Sequence, residues 1–175
     1  MSKAYYVVDA GALFSPWKID IRDAVLATTN SIINEIRNRP SQSRAEIMIL
    51  LDQMQITDPT TEYVDRARVG ATHSGDISVI SDNDIELVAL ALMLNDEGKA
   101  VVLVSSDFAV LNVTSLMGLN ILDPTGKFGQ EIIWGMRCPA CHYLAHSPRG
   151  ETECPICGTE MRRTPLKKRK VREYK

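Results

Sequence analysis

Four cysteines fall in one short stretch, CPACHYLAHSPRGETECPIC, as Cys138, Cys141, Cys154 and Cys157. They form two C-x-x-C pairs separated by twelve residues, and Pro139 or Pro155 turns each pair so that two thiols face one point. Four soft ligands at that spacing suit tetrahedral zinc. A hairpin this small has no core of its own and gains its stability from the metal. Two disulfides are the alternative, but nothing in the sequence indicates an oxidising compartment, and zinc is the expectation. His142 and His146 lie in the same stretch and could replace a cysteine; with four thiols available they are left for solvent or RNA. A centre closed by four thiolates keeps no open position, so its role is structural and any catalysis lies elsewhere.

Carboxylates offer that second chemistry. The stretch YYVVDAG carries aromatic and β-branched residues fit for a buried strand, then ends in Asp9 just before Gly11. Ligands of open α/β sheets bind at the carboxyl ends of strands, which is where Asp9 falls. Asp107 is placed similarly, two serines after the apolar run AVVLV. Asp84 falls in the first turn of its own helix, where the positive end of the helix dipole favours a carboxylate. Glu35 lies in an earlier helix, on the side left by Ile32, Ile33 and Ile36. If the strands of Asp9 and Asp107 are neighbours, the four acids converge on one cavity. Such a cluster repels itself unless cations neutralise it, and hard oxygen ligands select magnesium or manganese. An ion held there can activate water and stabilise charge on a phosphodiester. Each acid taken singly has an ordinary explanation: Asp84 as a helix cap, Asp9 and Asp107 as turn residues, Glu35 as a solvated face.

The elements that must position these groups alternate between strand-like and helix-like patterns, which predicts an α/β fold with a largely parallel sheet. The run Ala24 to Ala27 leads into a helix that Asn30 or Ser31 could cap and Pro40 stops. SRAEIMILLDQM reads as a second helix, QITD as a short strand and TTEYVDRARVGA as a helix losing definition toward Gly70. Ser81 and Asp84 form an S-x-x-D start for a helix carrying Leu87, Leu90, Ala91 and Leu94 at helical spacing, with Gly98 at its end. AVVLV is a buried strand, SDFAVLNVTSLMG a helix closed by Gly118, and LNIL a last strand. This divides the chain into a core domain over 1–123, a connector over 124–136 in which Ile132, Ile133 and Trp134 could dock on a neighbour, a zinc ribbon over 137–163 and a basic tail over 164–175. Arg66 to Ile80, with Arg68, His73 and two glycines, reads as a flap or a plain surface loop.

Taken together, these stretches resemble the PIN-domain nucleases, and specifically the archaeal and eukaryotic Nob family, whose PIN domain is followed by a zinc ribbon. VVDAGAL is similar to that family's first-strand acid motif, NSIINEI to its first-helix glutamate motif, and SGDISVISDNDIELVALAL to its long third motif. SSDFAVLNV resembles the segment in which an acid and an aromatic follow a small hydroxyl residue. The resemblance implies a central parallel sheet flanked by helices, with Asp9, Glu35, Asp84 and Asp107 as catalytic magnesium or manganese ligands. It also implies that Ser105 and Asn112 hold the site's geometry, and it leaves Asp76 as a recurring acid without a role. The implied reaction is hydrolysis of an RNA phosphodiester, leaving a 5′-phosphate and a 3′-hydroxyl. Many members carry two adjacent acids where this chain has Ser106 and Asp107, which implies weaker metal binding; Asp82 could substitute, at a less suitable spacing.

Charge divides the chain in the same way. Residues 1–136 hold ten Lys and Arg against eighteen Asp and Glu, a balance of −8, whereas residues 137–175 hold ten against four, a balance of +6. An acidic core argues against a broad nucleic-acid face there, while the basic end could lie along a phosphate backbone. The expected RNA contacts are Arg137, Arg149, Arg162, Arg163, Lys167, Lys168, Arg169 and Lys170, with the tail mobile when free. The apolar runs are too short to span a bilayer, and the first residues lack the pattern of a secretory signal, which predicts a cytoplasmic protein. The expected function is a metal-dependent endoribonuclease maturing the 3′ end of precursor small-subunit rRNA on the pre-ribosomal small subunit, with assembly factors as further partners. A non-catalytic RNA-binding assembly factor and a PIN toxin-type ribonuclease are the alternatives.

Overall fold

The apolar runs form a parallel sheet buried on both faces. The computed structural model describes residues 3–13, 24–37, 54–145 and 152–171. In chain order the first strands and helices are β1 (Ala4–Val8), the single-turn α1 (Ala10–Leu13), β2 (Ala24–Thr28), α2 (Asn30–Arg37) and β3 (Met54–Ile56). Then come α3 (Thr61–Ser74), α4 (Asp82–Asp96), β4 (Val101–Val104), α5 (Phe108–Leu116) and β5 (Asn120–Leu122). The sheet order is β3-β2-β1-β4-β5, with every pairing parallel. Val7, Val8, Leu103 and Val104 are fully buried, as strands covered on both faces require. The chain builds outward from β1 on one side and then crosses back to lay β4 on the other. The order therefore reverses between β1 and β4, and the crevice beyond their carboxyl ends is where such sheets bind ligands.

Two helices differ from the sequence reading. The α4 helix is not a one-sided amphipathic element: Ile85, Leu87, Val88, Ala89, Leu90, Ala91, Leu92 and Leu94 are all buried, because it packs against α2, α3, α5 and the sheet at once. The α3 helix does not fade at Gly70. It runs on to Ser74 and stops at Gly75, whose φ of 77° is the left-handed geometry of a helix end. The segment from Arg66 is thus mostly helix rather than flap, and Arg66 pairs with Asp96 at 2.6 Å. The helix expected over 43–54 and its predecessor's stop at Pro40 lie outside the described residues, except that Met54 opens β3. Among the described residues no helix is long and apolar enough to cross a membrane.

A second, antiparallel sheet follows, in the order β7-β6-β8, from β6 (Gln130–Arg137), β7 (Leu144–Ala145) and β8 (Arg162–Lys170). Much of the segment read as a connector is therefore strand β6, and the start of the segment read as a mobile basic tail is strand β8. Their residues pair from Arg137 with Arg162 to Gln130 with Lys170, with a bulge between Ile133 and Trp134. A strand so rich in Lys and Arg lacks the apolar alternation that marks a sheet, but all its charges except Arg163 are exposed while the backbone pairs with β6.

Candidate active site

Asp9 leaves β1 at the reversal point, and its amide still donates to Val104 O at 3.2 Å, which fixes the ends of β1 and β4 side by side. Its carboxylate, 7% exposed, accepts hydrogen bonds from the Ala12 amide and the Ser105 hydroxyl. Ser105 Oγ in turn accepts from the Asp107 amide at 2.9 Å, so one hydroxyl ties the two strand-end acids together. Asp107 caps α5, accepting from the Ala109 and Val110 amides at 2.7 and 3.2 Å. Asp84 is held by Ser81, whose hydroxyl donates to its carboxylate at 2.7 Å and accepts from its amide at 3.2 Å. Glu35 rides on α2, which packs against α4 and so brings the two acids to one place.

The four carboxylates share a field. Burial pushes the Asp9 carboxyl above its ordinary range, its hydrogen bonds from Ser105 and Ala12 offset part of that, and the charges of Asp84 and Asp107 add to the rise. Burial likewise raises Asp84, with Asp107 and Glu35 contributing in the same direction. Ionised together, these groups are under strain that a cation would relieve. Ser106 stands near Asp9: a side chain on Gly11 would lie 3.4 Å from both Asp9 Oδ1 and Ser106 Oγ. Asp82, the possible substitute, is turned away and pairs with Arg68 at 2.8 Å on the surface.

The cysteines gather as their spacing requires. Their sulfurs lie within 4.8 Å of one another, with Cys138 and Cys157 at 3.5 Å and Cys141 and Cys154 at 3.4 Å. Tetrahedral zinc with Zn–S bonds of about 2.3 Å would set sulfurs about 3.8 Å apart, so the cluster fits that ion. Each pair sits in a hydrogen-bonded knuckle, closed by the Cys138 amide on Tyr143 O at 2.9 Å and the Cys154 amide on Thr159 O at 2.9 Å. Hydrogen bonding with the Thr159 hydroxyl and amide pulls the Cys157 thiol down to about 6, toward the thiolate a metal needs. His142 does not replace a cysteine: among the described residues the ligand group is the four cysteines. His142 holds the left-handed position of the first knuckle, φ 63°, where the second has Gly158 at φ 71°, and its Nδ1 lies 3.4 Å from Arg137.

The family described as PIN domain of ribonuclease matches residues 6–94, just over half the chain and three of the four acids. The chain belongs to this family. An Endoribonuclease Nob1 from Archaeoglobus fulgidus is 29% identical over 160 residues, which cover 89% of this chain and 87% of that protein. One from Methanocaldococcus jannaschii is 27% identical over 173 residues, covering 97% and 82%. A Ribonuclease VapC1 from Thermoplasma acidophilum is 29% identical over 159 residues, covering 90% and 77%.

Asn112, expected to hold the geometry of the acid site, and Asp76, which the sequence left without a role, lie together at the joint between PIN domain and ribbon sheet. Asn112 donates from Nδ2 to Asp76 at 2.6 Å and to Ile132 O at 2.7 Å, and accepts from the Ile132 amide at 2.7 Å. Its carboxamide thus takes the place of a neighbouring strand along β6. Asp76, 1% exposed, also accepts from Ser74 Oγ at 2.8 Å and from Arg163 of β8. Arg163 was expected on RNA; instead its guanidinium lies 4.1 Å over the Trp134 ring and donates to Gly75 O at 3.2 Å. The cause is register, because Arg163 pairs with Met136 on the strand that abuts the PIN domain. No spacing rule in the sequence links positions this far apart. Arg149 and His146 lie outside the described residues, while Arg162, Lys167, Lys168, Arg169 and Lys170 stand exposed on β8 and Arg137 on β6.

Proposed function

We propose that the protein is a cytoplasmic endoribonuclease that cuts precursor small-subunit rRNA at its 3′ end during ribosome biogenesis, on the pre-ribosomal small subunit and alongside assembly factors. The observation that carries this is the shared field of Asp9, Glu35, Asp84 and Asp107 at the crevice between β1 and β4. The Nob1 relatives support the choice of substrate, since they align across both the PIN domain and the ribbon.

The four acids would hold magnesium or manganese, and the four cysteines zinc. When bound at the acids, the divalent ion lowers the pKa of water and offsets charge on the phosphodiester oxygens. The protein's own part is positioning. Ser105 orients the Asp9 carboxylate, the α5 N-terminus fixes Asp107, and Ser81 fixes Asp84, so the donor set is arranged before substrate arrives. Burial keeps Asp9 out of bulk water, which strengthens its attraction for a bound cation. Hydrolysis in this setting leaves a 5′-phosphate and a 3′-hydroxyl. The exposed cations of β8 supply the attraction for RNA that the acidic PIN domain lacks.

The VapC1 relative aligns over 90% of the chain, which favours a second reading: a ribonuclease of toxin type with a different RNA as its target. One assay separates the readings. Protein and manganese are incubated with a precursor spanning the mature 3′ end and with unrelated structured RNAs, alongside Asp9→Asn. The expected result is one cut at the mature end, slowed at least 100-fold by the substitution. Preferred cleavage of another RNA would support the second reading. Tight binding without cleavage would support a non-catalytic assembly factor, and equal cleavage by both proteins would remove the acids from the chemistry.

A further inference from the structure

Phe108 follows Asp107 directly at the start of α5, yet it is 41% exposed. A single exposed apolar residue is common on protein surfaces. This one is braced. Phe128 meets it edge to face, with ring centroids 5.0 Å apart and planes at 61°.

The loop that carries Phe128 is built around one carboxylate. Asp123 accepts from the amides of Thr125, Lys127 and Phe128 at 2.8, 2.7 and 2.8 Å, and from the Thr125 hydroxyl at 2.8 Å. Partial burial alone would raise the Asp123 carboxyl, but the bonds from Phe128, Thr125 and Lys127 hold it below the usual carboxylate range. It is therefore charged and committed to its own loop. Phe128 also lines a cleft of about 780 Å³ whose walls include the edge strand β5 and, from β8, Arg169 and Lys170. The other acid in that cleft, Glu131, is engaged by the Ser115 hydroxyl at 2.6 Å.

We propose that Phe108, held by Phe128, is a stacking platform for one nucleobase of a single-stranded RNA substrate, seating the adjoining phosphodiester at the acids while the strand continues along the cleft toward Arg169 and Lys170. This deepens the nuclease reading above and rests on it. An exposed ring on the residue after Asp107, braced by a Phe128 that shares its cleft with Arg169 and Lys170, is the pairing of stacking surface and backbone charge that single-stranded RNA requires. Stacking of this kind is tolerant of base identity, so Phe108 sets the position of the cut strand rather than its sequence.

The test uses a single-stranded oligoribonucleotide carrying 2-aminopurine at successive positions, bound to the full chain with calcium in place of magnesium or manganese. Wild type is expected to quench the probe at one position. Phe108→Leu, which keeps the apolar contact with Phe128 but has no aromatic face, should lose the quench and raise KM for cleavage in manganese roughly tenfold. Phe108→Trp should restore both. A Phe108→Leu protein with full quench and unchanged KM would overturn the platform and leave the nuclease reading intact. Loss of function that tracks a lowered melting temperature and is not rescued by Phe108→Trp would also overturn it. A wild type that quenches but never cuts would remove the nuclease reading and keep the platform as an RNA site.

Discussion

Arg163 of β8 and Asp76 beyond α3, 87 positions apart in the chain, form an ion pair across the joint between the parallel sheet and the ribbon sheet. Asp76 is buried, its side chain 1% exposed, and Arg163 is 30% exposed. The pair is continuous with Asn112 and Trp134, so residues from β8, α5, β6 and the turn after α3 meet at one point.

Removing the cation should leave an uncompensated buried carboxylate. Arg163→Met is expected to cost about 3 kcal/mol, the lower end for breaking a buried pair given the partial exposure of the arginine. Asp76→Asn should cost less, since it keeps hydrogen bonding to Ser74 and Asn112, and the double variant should cost less than the two summed. Urea unfolding of the zinc-loaded protein measures all three. Gly75→Ala should weaken the same joint for a steric reason, because a Cβ there would stand 2.6 Å from Trp134 O at a φ of 77°.

The acid pocket makes a signed prediction about pH. Asp9 and Asp84 have folded pKa values above their ordinary 3.8, so the native state binds more protons than the unfolded one as pH rises past that value. Without divalent ions, stability should therefore fall with rising pH through the window between 3.8 and the raised values, and stay lowered above it. Asp9→Asn should raise the neutral-pH melting temperature of the metal-free protein while slowing cleavage as described above. The acid limb of the kcat/KM profile in manganese should lie above the ordinary carboxylate value and move down as manganese concentration rises, because metal competes with the proton. A metal-free protein that gains stability across that window would contradict this.

The thiol cluster predicts one zinc per chain, measured by elemental analysis of the purified protein. Cys154→Ser, or a strong chelator, should unfold the ribbon sheet while the parallel sheet remains, seen as loss of protection on β6 and β8 in hydrogen exchange with β1 and β4 unchanged. The melting profile should split into two transitions. A protein that keeps β6 and β8 protected without metal would show that the joint with the PIN domain, rather than the ion, holds the ribbon sheet.

The cations that line the cleft predict a salt dependence. Replacing Arg169 and Lys170 with Gln should flatten the slope of log affinity for single-stranded RNA against log salt by about 1.4, about 0.7 for each phosphate contact removed. Zinc content and melting temperature should not change, since both side chains are exposed. An unchanged slope would place the RNA on another face.

Much of this was legible in the chain. Cys138, Cys141, Cys154 and Cys157 announce a four-ligand cluster because the ligands of each pair are neighbours, so local turn geometry alone brings two thiols together. The runs ending at Val8 and Val104 announce buried parallel strands because burial on both faces leaves no alternation to hide. Ser81 and Asp84 announce a helix start because a cap is a contact over three residues. Tertiary structure alone decided the rest. That β1 and β4 are adjacent, which sets Asp9 beside Ser105 and Asp107, follows from the order in which strands were laid down. That β8 pairs with β6 in the register that sets Arg163 against Met136, turning Arg163 inward to Asp76 and leaving Lys168 outside, is likewise decided between segments distant in the chain. Charge and hydropathy state what a side chain prefers, whereas the partner it meets is fixed by packing between segments that carry no mark of each other.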